Sequence, residues 1–85
     1  MTVSVHRFIR WYNKDNDSFV GEERILKIKL QTLINLIQIN KGDPYLYAIY
    51  PIKRTHDNKI QKYLKHKISL NKWDYFLECD SIQKK

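Results

Sequence analysis

Cysteine occurs once in these 85 residues, and glycine and proline occur twice each. A lone Cys79 leaves no second thiol for an internal disulfide and no thiol cluster for zinc. Gly21, Gly42, Pro44 and Pro51 are too few to build a phosphate-cradling loop, a dinucleotide fingerprint or a flexible linker. The sequence contains no internal repeat and no nucleophile elbow. No apolar run approaches the roughly 20 residues that cross a bilayer. The N-terminal stretch MTVSVHRFIRWYNKD places charge and aromatics where a secretory signal needs a continuous apolar core. These absences predict a chain that stays in the cytosol.

What is present points to a folded domain. The apolar fraction is 42%, with six Tyr, three Phe and two Trp, which is too rich in large side chains for a disordered segment. The length allows one hydrophobic core. Residues 1–80 are expected to form a single domain, with 81–85 as a fraying tail.

Val3 to Tyr12 reads as a strand, with Val3, Val5, Ile9 and Trp11 on one side and His6, Phe8, Arg10 and Tyr12 on the other. Apolar residues on both sides suggest an internal strand. Asn13 to Ser18 is a turn. A second strand starts near Phe19 and ends at Glu23 or runs on through Leu26, Ile28 and Leu30, with Gly21 marking a bulge or a close approach.

Leu30, Leu33, Ile34 and Ile37 have helical spacing, so Gln31 to Ile39 forms the first helix, stopped by Gly42 and Pro44. Tyr45 to Tyr50 is a third strand closed by Pro51. Thr55 or Asp57 caps a second helix, whose Ile60, Tyr63 and Leu64 face inward while Lys65, His66 and Lys67 crowd its C-terminal end. A final strand covers Trp73 to Cys79. The predicted order is ββαβαβ, an α+β fold of one sheet with two helices on one face.

Chemistry-bearing residues do not converge in the sequence. His6, His56 and His66 fall in separate elements, and a metal needs several ligands at one point, so no metal or other cofactor is expected. Glu22 and Glu23 alternate across a strand. Asp74 and Glu78 share a face but lie about 13 Å apart along it, too far for paired acid–base work. The expectation is a non-enzymatic chain.

Binding residues stand out more clearly. Sixteen Lys plus Arg against nine Asp plus Glu give a net charge of +7, which favours acidic partners. Lys59, Lys62, Lys65 and His66 avoid the apolar stripe of the second helix and would present a positive outer surface, which Lys53 and Arg54 lead into and Lys67 extends. That surface is either a solvated face or a site for nucleic acid. Arg7, Arg10, Tyr12, Tyr45 and Tyr47 form a second set, of the residue types that carry binding energy at protein interfaces. Phe8, Tyr12 and Phe76 could also supply a contact between copies of the chain.

The elements Arg10-Trp11-Tyr12-Asn13-Lys14, Gly21-Glu22, Leu30 to Ile37, Asp43-Pro44-Tyr45 with Tyr50-Pro51, and Tyr75-Phe76-Leu77-Glu78-Cys79 span nearly the whole chain. In them the sequence resembles a small uncharacterised bacterial domain family marked by RW(Y/F)-K, GE, DPxY to YP and YFLEC segments. It departs from that pattern in its strongly basic second helix. Small domains of this kind resemble immunity proteins, which neutralise a cognate toxin inside the producing cell. That resemblance implies a protein partner, a toxin domain, as the specific expectation. The basic charge stands against the simplest version of it, because inhibitors of nucleic-acid-cutting toxins are commonly acidic.

Overall fold

The computed structural model describes residues 5–26, 28–37 and 46–81, the side chain of Ser81 excepted. The elements are β1 (Val5–Asn13), β2 (Phe19–Ile25), α1 (Leu30–Ile37), β3 (Tyr50–Pro51), α2 (Arg54–Gln61) and β4 (Trp73–Ser81). They form one antiparallel sheet in the order β2-β1-β4-β3, with both helices in the ββαβαβ sequence. The fold is α+β, as the patterning predicts.

Strand β1 is internal, paired to β2 on one side and to β4 on the other. Its alternation sends Ile9 and Trp11 into the core, where Tyr75 and Leu77 of β4 meet them. Leu33, Leu36 and Ile37 of α1 and Ile60 of α2 close that core from the helix side. Each such side chain contributes about 1.5–3 kcal/mol by leaving water. The opposite sheet face carries His6, Phe8, Arg10 and Tyr12 of β1 and Asp74, Phe76, Glu78 and Asp80 of β4, in cross-strand register.

The β1–β2 turn is built from Asn and Asp. Asn13 Oδ1 accepts from the Asp15 amide at 2.8 Å, Asn16 Oδ1 accepts from Ser18 at 3.0 Å, and Asp17 takes a left-handed φ of 58°. Asp is among the few non-glycine residues that tolerate that region. The register slips between Trp11 and Tyr12, opposite Gly21 and Phe19. Gly21 is also a close approach, since a Cβ there would lie 2.7 Å from Cζ2 of Trp11. Strand β2 ends at Ile25, and Leu26 is exposed.

Several expectations need correction. The third strand is only Tyr50–Pro51, because Leu46 has a φ of 55° and turns the chain before it. Residues 46–49 are outside any strand, so Tyr47 does not sit on a strand face. Pro51 does not close β3 but belongs to it, at the sheet edge where its missing N–H costs no ladder bond.

The cap of α2 is Lys53, whose amide donates to His56 Nδ1 at 3.1 Å, in place of Thr55 or Asp57. The helix also stops at Gln61, earlier than the apolar spacing suggests. Gln61 Oε1 accepts from the Ile68 amide at 2.7 Å, and its Nε2 donates to the His66 carbonyl at 2.8 Å. These bonds wrap residues 62–72 back over the core as a loop. Lys65, His66 and Lys67 therefore lie in that loop and not at a helix end. The predicted continuation of α1 to Ile39, the stop at Gly42 and Pro44, the start of the first strand at Val3, Tyr45, and the tail beyond Ser81 lie outside the described residues.

Candidate protein-binding face

No described helix packs on the outer sheet face, because the helical residues of the core cluster meet Ile9, Trp11, Tyr75 and Leu77 on the other one. At the centre of this face, Arg10 is held by three carboxylates drawn from both neighbouring strands. Its Nε donates to Glu22 Oε1 at 2.7 Å and its Nη1 to Glu78 Oε1 at 3.0 Å. Nη1 and Nη2 also grip Asp80 at 3.0 and 2.6 Å, the two-pronged geometry that suits a planar guanidinium. The same guanidinium covers the Phe8 ring, with Cζ 4.3 Å from its centroid.

The charges perturb each other accordingly. Arg10 is held above its ordinary range, first by the hydrogen bond to Asp80, against opposing desolvation. The Asp80 carboxyl lies below its ordinary value, first through its hydrogen bond to Arg10. One guanidinium does not neutralise three carboxylates, so the cluster keeps an excess of negative charge. Asp74, on the same face, is bridged to Lys14 at 2.8 Å.

Tyr12 extends the cluster into an aromatic strip. Its hydroxyl donates to Glu78 Oε2 at 2.5 Å. Desolvation, followed by that bond, pushes its pKa up to about 12. The ring meets Phe76 and Phe19 edge-on, at centroid distances of 5.7 and 5.9 Å. Phe19 is 56% exposed and Ile49 61% exposed. Tyr12, Asp17, Ile49, Phe76 and Glu78 line an open groove of about 390 Å³.

The expected protein-binding set is not one patch. Arg10 and Tyr12 lie on the outer face, while Arg7 has the inner-face register of Ile9 and Trp11 and pairs with Ile25 and Cys79. Tyr47 is exposed in the segment before β3. Sequence reasoning missed Asp17, Phe19, Glu22, Ile49 and Asp80, because only the strand order β2-β1-β4 brings them beside Arg10 and Tyr12.

The basic set falls on two elements. Lys53 and Arg54 open α2, Lys59 lies along it, Lys62 caps its end, and Lys65 and Lys67 continue into the loop, all exposed. Arg54 is tied to Asn71 at 2.8 Å. His66 does not belong to this surface. Its ring stacks on Trp11 and its Nε2 lies 2.7 Å from the Tyr75 hydroxyl. Glu23 faces inward and accepts the Lys65 and His66 amides, both at 2.8 Å. His56 is half-buried and its pKa is lowered by desolvation and then by Lys53 and Lys59.

Among the described residues, no group of three or more His, Cys, Asp and Glu is arranged to hold a metal ion. No described helix is long and apolar enough to cross a membrane. The family model "Domain of unknown function (DUF7683)" matches residues 6–78. No curated protein matches the chain.

Proposed function

Because the chain belongs to this family, whose description assigns no activity, its own surfaces carry the argument, and we propose that it is a non-enzymatic protein-binding module that works through the uncovered sheet face. The specific reading is an immunity protein that binds and neutralises a cognate bacterial toxin in the cytoplasm. The observation that supports it is the construction of the face. Exposed Phe19 and Ile49 flank a half-buried aromatic pair, Tyr12 and Phe76, whose rings are already fixed by mutual contact and by the bond to Glu78. Pre-ordered aromatics beside fixed charges suit a protein interface, because little side-chain entropy is lost on binding.

The charges on this face also bear on the objection from net charge. The +7 belongs to the chain as a whole, whereas the open face holds Glu22, Asp74, Glu78 and Asp80 against Arg10, Arg24 and Lys14. A basic protein can thus present a carboxylate-rich surface to a basic target.

A second reading has its own observation. Lys53, Arg54, Lys59, Lys62, Lys65, Lys67 and Lys72 are all exposed on one segment whose sole acidic residue is Asp57. That is the footprint of a nucleic-acid-binding accessory protein.

Capture of the tagged protein from its native cells, with nuclease present and a moderate-salt wash, separates the two. Recovery of one stoichiometric protein, followed by intact-complex mass determination, is the expected result. Loss of every protein, with nucleic acid retained when nuclease and salt are omitted, would move the assignment to the lysine-rich segment.

A further inference from the structure

We infer that the groove between Tyr12, Phe76 and Ile49 is a receptor for an arginine or lysine side chain of a partner protein's basic surface. The inference rests on the protein-binding reading and names the chemistry of the surface that would dock. The groove lining is Tyr12, Asp17, Ile49, Phe76 and Glu78. Two rings, an aliphatic side chain and two carboxylates meet there, and among the described residues no lysine or arginine lines the groove.

Each part has a use for a cation. The rings of Tyr12 and Phe76 are edge-to-face at 69°, an arrangement that leaves ring faces of differing orientation for a cation to cover. Cation–ring attraction grows when the ring is partly desolvated, as both rings are here. Ile49 offers apolar surface to the methylenes that precede the charged head. Glu78 already accepts from Tyr12 and Arg10. Asp17 stands at the turn with its carboxylate exposed. Arg10 is committed to Glu22, Glu78 and Asp80, and Lys14 to Asp74. The local field in the groove is therefore negative inside a positively charged molecule, and an incoming arginine or lysine is steered to it.

The test is a nuclear magnetic resonance titration of the labelled full chain with an acetylated, amidated tetra-arginine peptide and, separately, a tetra-glutamate peptide. The expected result is saturable shifts centred on Tyr12, Asp17, Ile49, Phe76 and Glu78 with the arginine peptide alone. Asp17→Asn keeps a residue that tolerates the left-handed backbone at φ 58° and removes the charge. It should weaken the peptide roughly threefold, the scale of one exposed ion pair. Lys59→Gln should leave affinity unchanged or slightly improved.

Shifts that are absent, that appear equally with tetra-glutamate, or that persist at full affinity in Asp17→Asn overturn the inference. So does concentration-dependent doubling of mass in sedimentation with the same resonances affected, because a second copy then fills the groove. The two claims fail separately. A captured protein partner with no arginine-peptide binding removes the groove and keeps the protein-binding reading. Peptide binding without any captured protein does the reverse.

Discussion

The imidazole of His66 lies flat on the indole of Trp11, with ring centroids 3.9 Å apart and planes 13° from parallel. The contact joins the loop after α2 to the central strand, so the covered face of the sheet is closed by a loop as well as by helices. Trp11 is 8% exposed and also lies 5.5 Å from the Tyr75 ring. The indole therefore has little room to move.

That confinement sets the cost of filling the space under it. A methyl at Gly21 would sit 2.7 Å from Cζ2 and 2.9 Å from Nε1 of Trp11. Gly21→Ala should destabilise the fold by about 1–3 kcal/mol, the usual cost of overpacking. Urea unfolding followed by tryptophan fluorescence measures it, and an unchanged midpoint would mean that the indole is free to shift.

Tyr75 joins the same loop by hydrogen bonds. Its hydroxyl accepts from the Ser69 amide at 3.1 Å and lies 2.7 Å from His66 Nε2. Which of the two groups donates in that contact is set by the imidazole tautomer. Tyr75→Phe keeps the packing and orphans both partners. A loss of about 1–3 kcal/mol is expected in the same unfolding assay.

The Arg10 cluster makes stability depend on acid. Asp80 is held below its ordinary value of 3.8, chiefly by its hydrogen bond to Arg10. A depressed folded pKa contributes stability that is complete above the unfolded value and lost as pH falls through the folded one. Wild type should therefore lose stability below about pH 4 more steeply than Asp80→Asn. Denaturation midpoints taken between neutral pH and pH 2 would show the two curves converging. Asp80 is half exposed, so the separation at neutral pH should be small.

At the alkaline end the sign reverses. Tyr12 is raised from 10.0 to about 12. Its contribution is therefore complete below the unfolded value and lost as pH rises through the folded one. An absorbance titration of phenolate formation should show a smaller late step in Tyr12→Phe, what is left coming from Tyr75, whose hydroxyl is also pushed up by burial. A late step of undiminished size in that variant would show that Tyr12 ionises normally.

The sheet was legible because its two long strands alternate cleanly. Ile9 and Trp11, then Tyr75 and Leu77, fall on one face and are buried, and period-2 patterning carries that information directly. The segment before β3 misled for an equally local reason. Tyr-Leu-Tyr-Ala-Ile-Tyr has strand composition, and nothing marks Leu46, fully buried at φ 55°, as a residue outside the usual basins. The end of α2 was hidden because Ile60, Tyr63 and Leu64 keep helical spacing while the stop comes from the Gln61 side chain bonding Ile68 and His66.

The candidate site was half legible. Arg10 and Tyr12 could be named from residue type alone. Their partners Glu22, Glu78 and Asp80 depend on which strands neighbour β1, and a single sequence does not encode that order in any short-range pattern.

The most direct test of the account compares two variants in the capture experiment, each checked for an unchanged unfolding midpoint. Phe19→Lys with Ile49→Lys alters exposed positions on the open face, while Lys59→Gln, Lys62→Gln and Lys65→Gln together neutralise the basic segment. Loss of the protein partner from the first variant and its retention by the second is the predicted result. Retention by the first and loss from the second would contradict the assignment of the open sheet face as the binding surface.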